Sequence, residues 1–198
     1  IPIAERSGLL LPIGDCVLDR ACAQLRAWHQ AGHTEWSMAV NLSPLQFASP
    51  ALLDSVREVL HRHRIEPARL TLEITETMAM KDVDASLAIL NDLTAMGVHI
   101  AIDDFGTGYS SLLYLKRMPA TELKIDRAFV HDLERNDEDA AIVSSIIALG
   151  RTLQLQVVAE GVETQAQREY LSELGCDQLQ GYHLGRPMDA EEFLRRVG

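Results

Sequence analysis

The sequence predicts an α/β fold built as a TIM-like (β/α) barrel, and two observations support this prediction. Apolar, strand-like segments alternate with helical patterns along the chain, and strands joined by helices run parallel. Strong polar residues also recur at the far end of one predicted strand after another: Asn41, Glu73, Asp103 with Asp104, Lys124 with Asp126, Glu160 with Glu163, and Gln180. A barrel gathers its strand ends on one face, where barrel enzymes build their active sites.

The elements follow from hydrophobic periodicity. The chain opens with a predicted loop over residues 1–14, followed by a helix over 15–30. Strands are predicted near 36–41, 69–74, 98–103, 121–125, 155–160 and 177–180, and helices near 50–63, 83–96, 109–116, 138–151, 164–174 and 189–197. Segments 98–102 and 155–159 are almost continuously apolar, which is typical of parallel strands buried on both faces.

An open doubly wound sheet is the competing architecture. It would concentrate its site at a single switch point, whereas here nearly every predicted strand ends in a polar residue. The chain has 198 residues, roughly 50 fewer than the typical barrel, and it begins with a helix where a barrel needs a strand. We therefore expect one domain, residues 1–198, in which the first strand of the barrel is missing.

Charge and composition narrow the range of partners. The formal net charge of −11 argues against DNA or an anionic membrane surface as the main partner, although a small phosphate ester could bind through metal ions. Cys16, Cys22 and Cys176 have no metal-site spacing and are interpreted as reduced thiols. The chain carries no secretory signal and no apolar run long enough to cross a bilayer.

The polar residues at the strand ends suggest metal chemistry. They offer hard oxygen ligands, which suit Mg²⁺ or Mn²⁺ rather than zinc: Asn41, Glu73, Asp103, Asp104 and Glu160. Because the Asp pair lies where a strand becomes a loop, one carboxylate could bridge two metals about 4 Å apart while the other binds the second metal. Lys124 would add a charge that holds an attacking water or stabilises phosphoryl oxygens.

Each of these residues also has a purely structural interpretation. Asp103-Asp104 could be a turn or a helix cap, and Glu73 and Glu76 could be surface acids. Lys124 could be an exposed strand residue. Their shared position at the same end of separate strands favours a functional site. The segment His61–Arg64 is instead interpreted as a solvated helix end, where cations complement the helix dipole.

Six ordered motifs resemble the EAL-domain family of cyclic di-GMP phosphodiesterases. The resemblance covers almost the whole chain and rests on Val40-Asn41-Leu42-Ser43, Leu72-Glu73-Ile74-Thr75-Glu76, Ile102-Asp103-Asp104-Phe105-Gly106-Thr107-Gly108-Tyr109-Ser110-Ser111-Leu112, Leu123-Lys124-Ile125-Asp126, Val158-Ala159-Glu160-Gly161-Val162-Glu163-Thr164 and Gln180-Gly181-Tyr182. The opening segment 1–10 resembles the stretch that follows the family's first strand.

The resemblance implies hydrolysis of one phosphodiester of cyclic di-GMP, with two Mg²⁺ or Mn²⁺ ions, to the linear dinucleotide. It implies these roles: Asn41, Glu73 and Asp103 on the first metal, Asp103, Asp104 and Glu160 on the second, Lys124 on the nucleophilic water, and Asp126, Glu163 and Gln180 in the surrounding polar network. Glu76 would steady the loop 104–111, which lies near the dimer contact in the family. A homodimer acting in the cytoplasm is the corresponding expectation, and the parent protein could still be anchored to a membrane elsewhere.

One departure leaves two functions open. The family's first strand carries a Glu-Ala-Leu motif whose glutamate binds the first metal, followed by an arginine that contacts the substrate phosphate, and neither is present in this sequence. The first hypothesis is a metal-dependent phosphodiesterase. The second is a non-catalytic receptor for cyclic di-GMP, or a protein-interaction scaffold, of the same fold. The complete set of downstream ligands favours the enzyme.

Overall fold

The structure is a computed structural model that describes residues 9–108 and 112–197. The chain divides into two units. Unit 1 comprises Ile1–Ile102 and Gly108–Thr121, and unit 2 comprises Asp103–Thr107 and Glu122–Gly198.

Unit 1 alternates strands and helices as predicted. Its described elements are α1 (Leu10–Gln30), β1 (Met38–Asn41), α2 (Pro44–Phe47), α3 (Leu52–His63), a 3₁₀ turn (Pro67–Arg69), β2 (Leu70–Thr75), α4 (Glu76–Lys81), α5 (Val83–Ala95), the first residues of β3 (His99–Phe105), and α6 (Leu112–Leu115). Strands β1 and β2 pair in parallel, with Met38 opposite Leu70 and Asn41 opposite Glu73. Leu70, Leu72 and Ile74 are fully buried on one face, and Thr71 and Glu73 are buried on the other, so both faces of β2 are covered.

Unit 2 continues the pattern from the end of β3. Its further described elements are β4 (Glu122–Ile125), α7 (Arg127–His131), α8 (Asp137–Leu153), β5 (Gln156–Ala159), α9 (Gln165–Glu173), β6 (Gln178–Leu179) and α10 (Ala190–Val197). Strands β4 and β5 pair in parallel, with Lys124 opposite Val158, and β5 pairs in parallel with β6. The register places Ile125 opposite Ala159, so the two strands end side by side.

The strand order decides between the two predicted architectures. Among the described residues, the strands follow one another in the sheet in sequence order, β1-β2-β3-β4-β5-β6. A doubly wound sheet reverses its order at a switch point, and this sheet has no such reversal among its described strands. The predicted α/β fold of the (β/α)-barrel class is thereby confirmed.

Several predicted boundaries were wrong for local reasons. Helix α1 begins at Leu10, inside the predicted loop 1–14, because Leu10 starts the buried stripe that continues through Leu18, Cys22 and Leu25. Residues 1–8 lie outside the described part. The helix predicted over 109–116 is found at Leu112–Leu115, and residues 109–111 are likewise not described. Helices α2, α4 and α7 were missed, because one or two turns carry too little periodicity to recognise.

Gly14 lies in the middle of the first half of α1, where glycine normally costs stability. A Cβ atom at this position would lie 2.1 Å from the side chain of Gln46. Gln46 is buried and forms the capping box of α2 with Ser43. The glycine therefore allows α1 and α2 to approach closely, and its cost is offset by that contact. No helix in the described ranges is both long and apolar enough to cross a membrane.

Candidate active site

The Asp103-Asp104 pair lies within β3 rather than after it. The prediction that the strand ends at these residues was wrong, since β3 continues through Phe105. Adjacent strand residues normally point to opposite faces, but Asp104 has a φ of 55°, in the left-handed region that Asp tolerates better than most residues. This backbone irregularity breaks the alternation, and donor atoms of both acids lie within 4.8 Å of each other and of Glu160.

Lys124 provides a buried cation for this cluster. Its Nζ lies 2.6 Å from Oε1 of Glu160 and 3.2 Å from Oδ1 of Asp103. The lysine side chain is only 5% exposed, and those of Asp103 and Glu160 are 12% and 20% exposed. Such burial strengthens the attraction between ammonium and carboxylates relative to a surface pair. The interpretation of Lys124 as an exposed strand residue is therefore wrong.

Asp104 carries the clearest electrostatic perturbation in the cluster. Its pKa is raised from 3.8 to about 6 by burial first, then by the charge of Asp103, a hydrogen bond with the carboxyl group of Asp126, and the charges of Asp126 and Glu160. These groups disfavour a further negative charge. An added cation would relieve this repulsion.

Asp126 links the cluster to helix α7. Its Oδ1 accepts a 2.7 Å hydrogen bond from the backbone N–H of Ala128 and caps the helix. The same carboxyl group interacts with Asp104. The N-cap role and the contact with the acidic cluster therefore coexist in one residue.

Gln180 is held at the end of β5 through its backbone, whereas the backbone N–H of Glu163 donates to Oε1 of Gln167 at the start of α9. The N–H of Gln180 donates to the carbonyl of Ala159, the last residue of β5, over 2.8 Å, and its carbonyl accepts from Val162 over 3.0 Å. Both Glu163 and Gln180 are exposed. Among the described residues, the structure places no hydrogen bond between their side chains and the acidic cluster.

Unit 1 holds a second candidate pair at the ends of β1 and β2. The Nδ2 of Asn41 donates a 2.7 Å hydrogen bond to Oε2 of Glu73. Glu73 is buried, with 7% exposure, whereas Asn41 is exposed. The amide and the carboxylate leave oxygen atoms that could serve as ligands of one hard cation.

Glu76 begins helix α4 and is 1% exposed, so its interpretation as a surface acid is wrong. A Cβ atom on Gly108 would lie 2.6 Å from Oε1 of Glu76, which shows that the glutamate carboxylate lies against the backbone of this loop residue. The expected proximity of Glu76 to the loop is present at Gly108, while residues 109–111 of that loop lie outside the described part.

A pocket beside Glu163 was not predicted. It has a volume of about 470 Å³, and its lining includes Arg127, His131, Gly161 and Glu163. Gly161 has a φ of 73°, and a Cβ there would lie 2.6 Å from Cβ of Arg127. The turn after Glu160 therefore needs glycine both for its backbone and for its packing on α7. Arg127 directly follows the Leu-Lys-Ile-Asp motif, but nothing in the sequence pattern indicates that Arg127 packs against Gly161.

The acidic cluster of unit 2 fits a divalent cation. Asp103, Asp104 and Glu160 offer hard carboxylate oxygens at mutual distances of 4.8 Å or less, the ligand type that Mg²⁺ and Mn²⁺ prefer. Lys124 is close enough to contact a polar group bound there. The arrangement is therefore suited to binding an anionic phosphate through a metal and holding water beside it.

Comparison with known proteins identifies the family of the chain. The family described as EAL domain matches residues 1–187, and the chain belongs to it. The resemblance noted from the motifs is thereby confirmed.

Two curated relatives come from Pseudomonas aeruginosa. The chain is 62% identical, over 197 residues, to the bifunctional diguanylate cyclase/cyclic di-GMP phosphodiesterase MucR, covering 100% of this chain and 29% of that protein. It is 43% identical to the cyclic di-GMP phosphodiesterase NbdA, covering 98% of this chain and 25% of NbdA. The chain thus spans less than a third of the length of either relative.

A solved structure described as the PaMucR phosphodiesterase in complex with c-di-GMP is also similar. It has 63% sequence identity and a TM-score of 0.95, and the match covers 97% of this chain and 78% of that one. The fold of this chain is therefore closely similar to that of a protein whose structure holds this nucleotide.

Proposed function

We propose that this chain is a cyclic di-GMP phosphodiesterase that opens one phosphodiester to give the linear dinucleotide. The observation that carries the proposal is the cluster of Asp103, Asp104 and Glu160, with donor atoms within 4.8 Å and with Lys124 Nζ 2.6 Å from Glu160. The names of MucR and NbdA support the substrate. Hydrolysis adds water across one P–O bond: the phosphorus gains a hydroxyl, and the sugar oxygen leaves with a proton.

The chemistry of each side chain indicates its role in the proposed reaction. Asp103, Asp104 and Glu160 would hold Mg²⁺ or Mn²⁺, and Asn41 and Glu73 would complete the ligand set. When bound, the metal supplies Lewis-acid stabilisation of the phosphoryl oxygens and lowers the pKa of a bound water. The ammonium of Lys124 would orient the attacking water by donating a hydrogen bond to its oxygen.

The remaining predicted residues would position these groups. Asp126 holds the start of α7 and interacts with Asp104, so its loss would disturb a ligand carboxylate. Glu163 and Gln180 would complete the polar surroundings of the substrate. Glu76 would steady the loop at Gly108. The pocket lined by Arg127 and Glu163, residues that follow Asp126 and Glu160 closely in the chain, would offer concave space for part of the nucleotide.

The test is turnover of cyclic di-GMP with Mg²⁺, with Mn²⁺ and with EDTA, and the linear product is separated by chromatography. Glu160→Gln keeps the size of the side chain and removes its charge, so it should lower turnover by more than about 100-fold, as loss of a key charged group in an active site does. Glu173→Gln is the matched control, because Glu173 is exposed at the end of α9, and it should retain full turnover.

Metal-dependent product that is lost in Glu160→Gln would support the enzyme. Cyclic di-GMP that binds without being cleaved, under every metal condition, would contradict the enzyme and support the receptor. Homodimer formation, action in the cytoplasm and a single incomplete domain over residues 1–198 stay predictions. Light scattering with and without cyclic di-GMP checks the first of them.

A further inference from the structure

A pocket of about 560 Å³ in unit 1 lies away from the acidic strand ends. Its lining residues Ile65 and Pro67 precede β2, and Met96 precedes β3. The pocket is therefore at the amino-terminal ends of these strands, whereas Glu73 lies toward the carboxyl-terminal end of β2. Its volume is within the range of small-molecule sites, roughly 300–1,000 Å³.

The rim of the pocket is cationic. Arg57, His61 and Arg64 line it and are exposed. Arg57 is paired with Asp54 at 2.5 Å, but the side chains are 62% and 82% exposed, and such pairs are weak. Arg64 has no ion-pair partner within the described part of the chain. Although the net charge of the chain is −11, the rim of this pocket is locally suited to phosphate. Arginine binds phosphate through its planar guanidinium.

The floor of the pocket is apolar. Ile65 is 5% exposed, and Pro67 and Met96 are partly exposed beside it. A flexible methionine side chain makes favourable contacts with flat aromatic rings. Cations that complement the dipole of α3 explain the charge at this helix end, but they do not explain an apolar cavity next to it. A flat ring joined to phosphate satisfies both parts of the site.

We propose that this pocket binds a nucleoside phosphate, with the base against Pro67 and Met96 and the phosphates on Arg57 and Arg64. The pocket shares no residue with the proposed catalytic cluster and needs none of its carboxylates. Nucleotide binding here would be independent of divalent metal, because the contacts are cationic and apolar side chains. Binding measured without divalent metal therefore tests the nucleotide pocket separately from the proposed phosphodiesterase activity, which needs the metal.

Isothermal titration calorimetry in EDTA tests the proposal with three probes: GTP, guanosine and inorganic tripolyphosphate. Without metal, the acidic cluster repels the triphosphate, so binding there is suppressed. We expect GTP to bind at one site, and each of the two fragments to bind at least about tenfold more weakly, since each lacks half of the contacts.

Three variants locate the site. Arg64 has a φ of 53°, a conformation that Asn also adopts readily, so Arg64→Asn removes the charge without backbone strain and should weaken GTP binding about tenfold or more. Asp54→Asn frees Arg57 from its partner and should strengthen binding by about two- to fivefold. Arg168→Gln, at an exposed arginine on α9, is the matched control and should bind as the unsubstituted chain does.

Melting curves of all variants accompany the titrations, so that loss of binding is separated from loss of folding. Met96→Glu adds a second test: it places a carboxylate at the floor, and it should abolish GTP binding while the melting temperature is retained. The proposal is overturned if GTP does not bind, if folded Arg64→Asn binds as the unsubstituted chain does, or if tripolyphosphate binds as tightly as GTP. Binding of an acidic peptide in place of GTP would also overturn it.

Discussion

The strand-end carboxylates of unit 1 and unit 2 are balanced in different ways. In unit 1, buried Glu73 accepts a hydrogen bond from the neutral amide of Asn41. In unit 2, Asp103 and Glu160 share the ammonium of Lys124, and Asp104 lies close to both acids. Carboxylates therefore outnumber the buried lysine in unit 2. The excess of negative charge that an added cation would balance is therefore larger in the cluster of unit 2 than in the pair of unit 1.

Removing the buried lysine should have the largest effect on stability. Lys124→Met leaves Asp103 and Glu160 without their cation, so we expect the free energy of unfolding in EDTA to fall by about 3 kcal/mol. Urea denaturation measures the change, and saturating Mg²⁺ should restore part of it by binding the folded state. Lys116→Met, at an exposed lysine, should change stability by less than about 0.5 kcal/mol. Equal losses for the two variants would refute the assigned role of Lys124.

Changing Asn41 to an acid should make the pair in unit 1 resemble the cluster in unit 2. Asn41→Asp replaces the donor to Glu73 with a second carboxylate, and we expect a loss of about 2 kcal/mol in EDTA. Asn41→Ala, which removes the donor without adding charge, should lose about 1 kcal/mol. Mg²⁺ should recover more of the loss in the Asp variant than in the Ala variant. If both variants respond to Mg²⁺ alike, repulsion at this pair is not the cause.

Neutralising Asp104 should stabilise the metal-free protein. The folded-state pKa is raised from 3.8 to about 6, so between these values the folded state binds more protons than the unfolded state, and stability falls as pH rises. Asp104→Asn should therefore gain about 1 kcal/mol at pH 7.5 in EDTA, after allowance for solvent screening. The gain should vanish near pH 4. Thermal melting at both pH values checks the sign, and destabilisation at pH 7.5 would contradict it.

The smallest stability effect is expected at Glu163, which is exposed. Glu163→Gln should change the free energy of unfolding by less than about 0.5 kcal/mol. If Glu163 supports the proposed site, turnover should nevertheless fall by about tenfold, as for outer groups around a metal. Glu173→Gln again serves as the control in both measurements. Unchanged turnover would remove Glu163 from the site.

Much of this architecture could be predicted, because it depends on local patterns. Strand β2 was expected near 69–74 and is found at Leu70–Thr75, because its apolar residues are evident in the sequence. Helix α3 was expected near 50–63 and is found at Leu52–His63. The extension of β3 beyond Asp103 was not predictable, because two adjacent acids usually end a strand. The positive φ of Asp104 also cannot be recognised from the pattern of residues.

The class of fold and the order of its elements follow from the amino-acid sequence alone, because side-chain periodicity is a property of neighbouring residues. The sequence also supplied the acids at the strand ends and the family resemblance that they carry. The position of Lys124 between Asp103 and Glu160, the rise in the pKa of Asp104 to about 6, and the apolar pocket beside Arg64 arise from the tertiary structure. These features depend on distance and burial between segments far apart in the chain, which the order of residues alone does not specify.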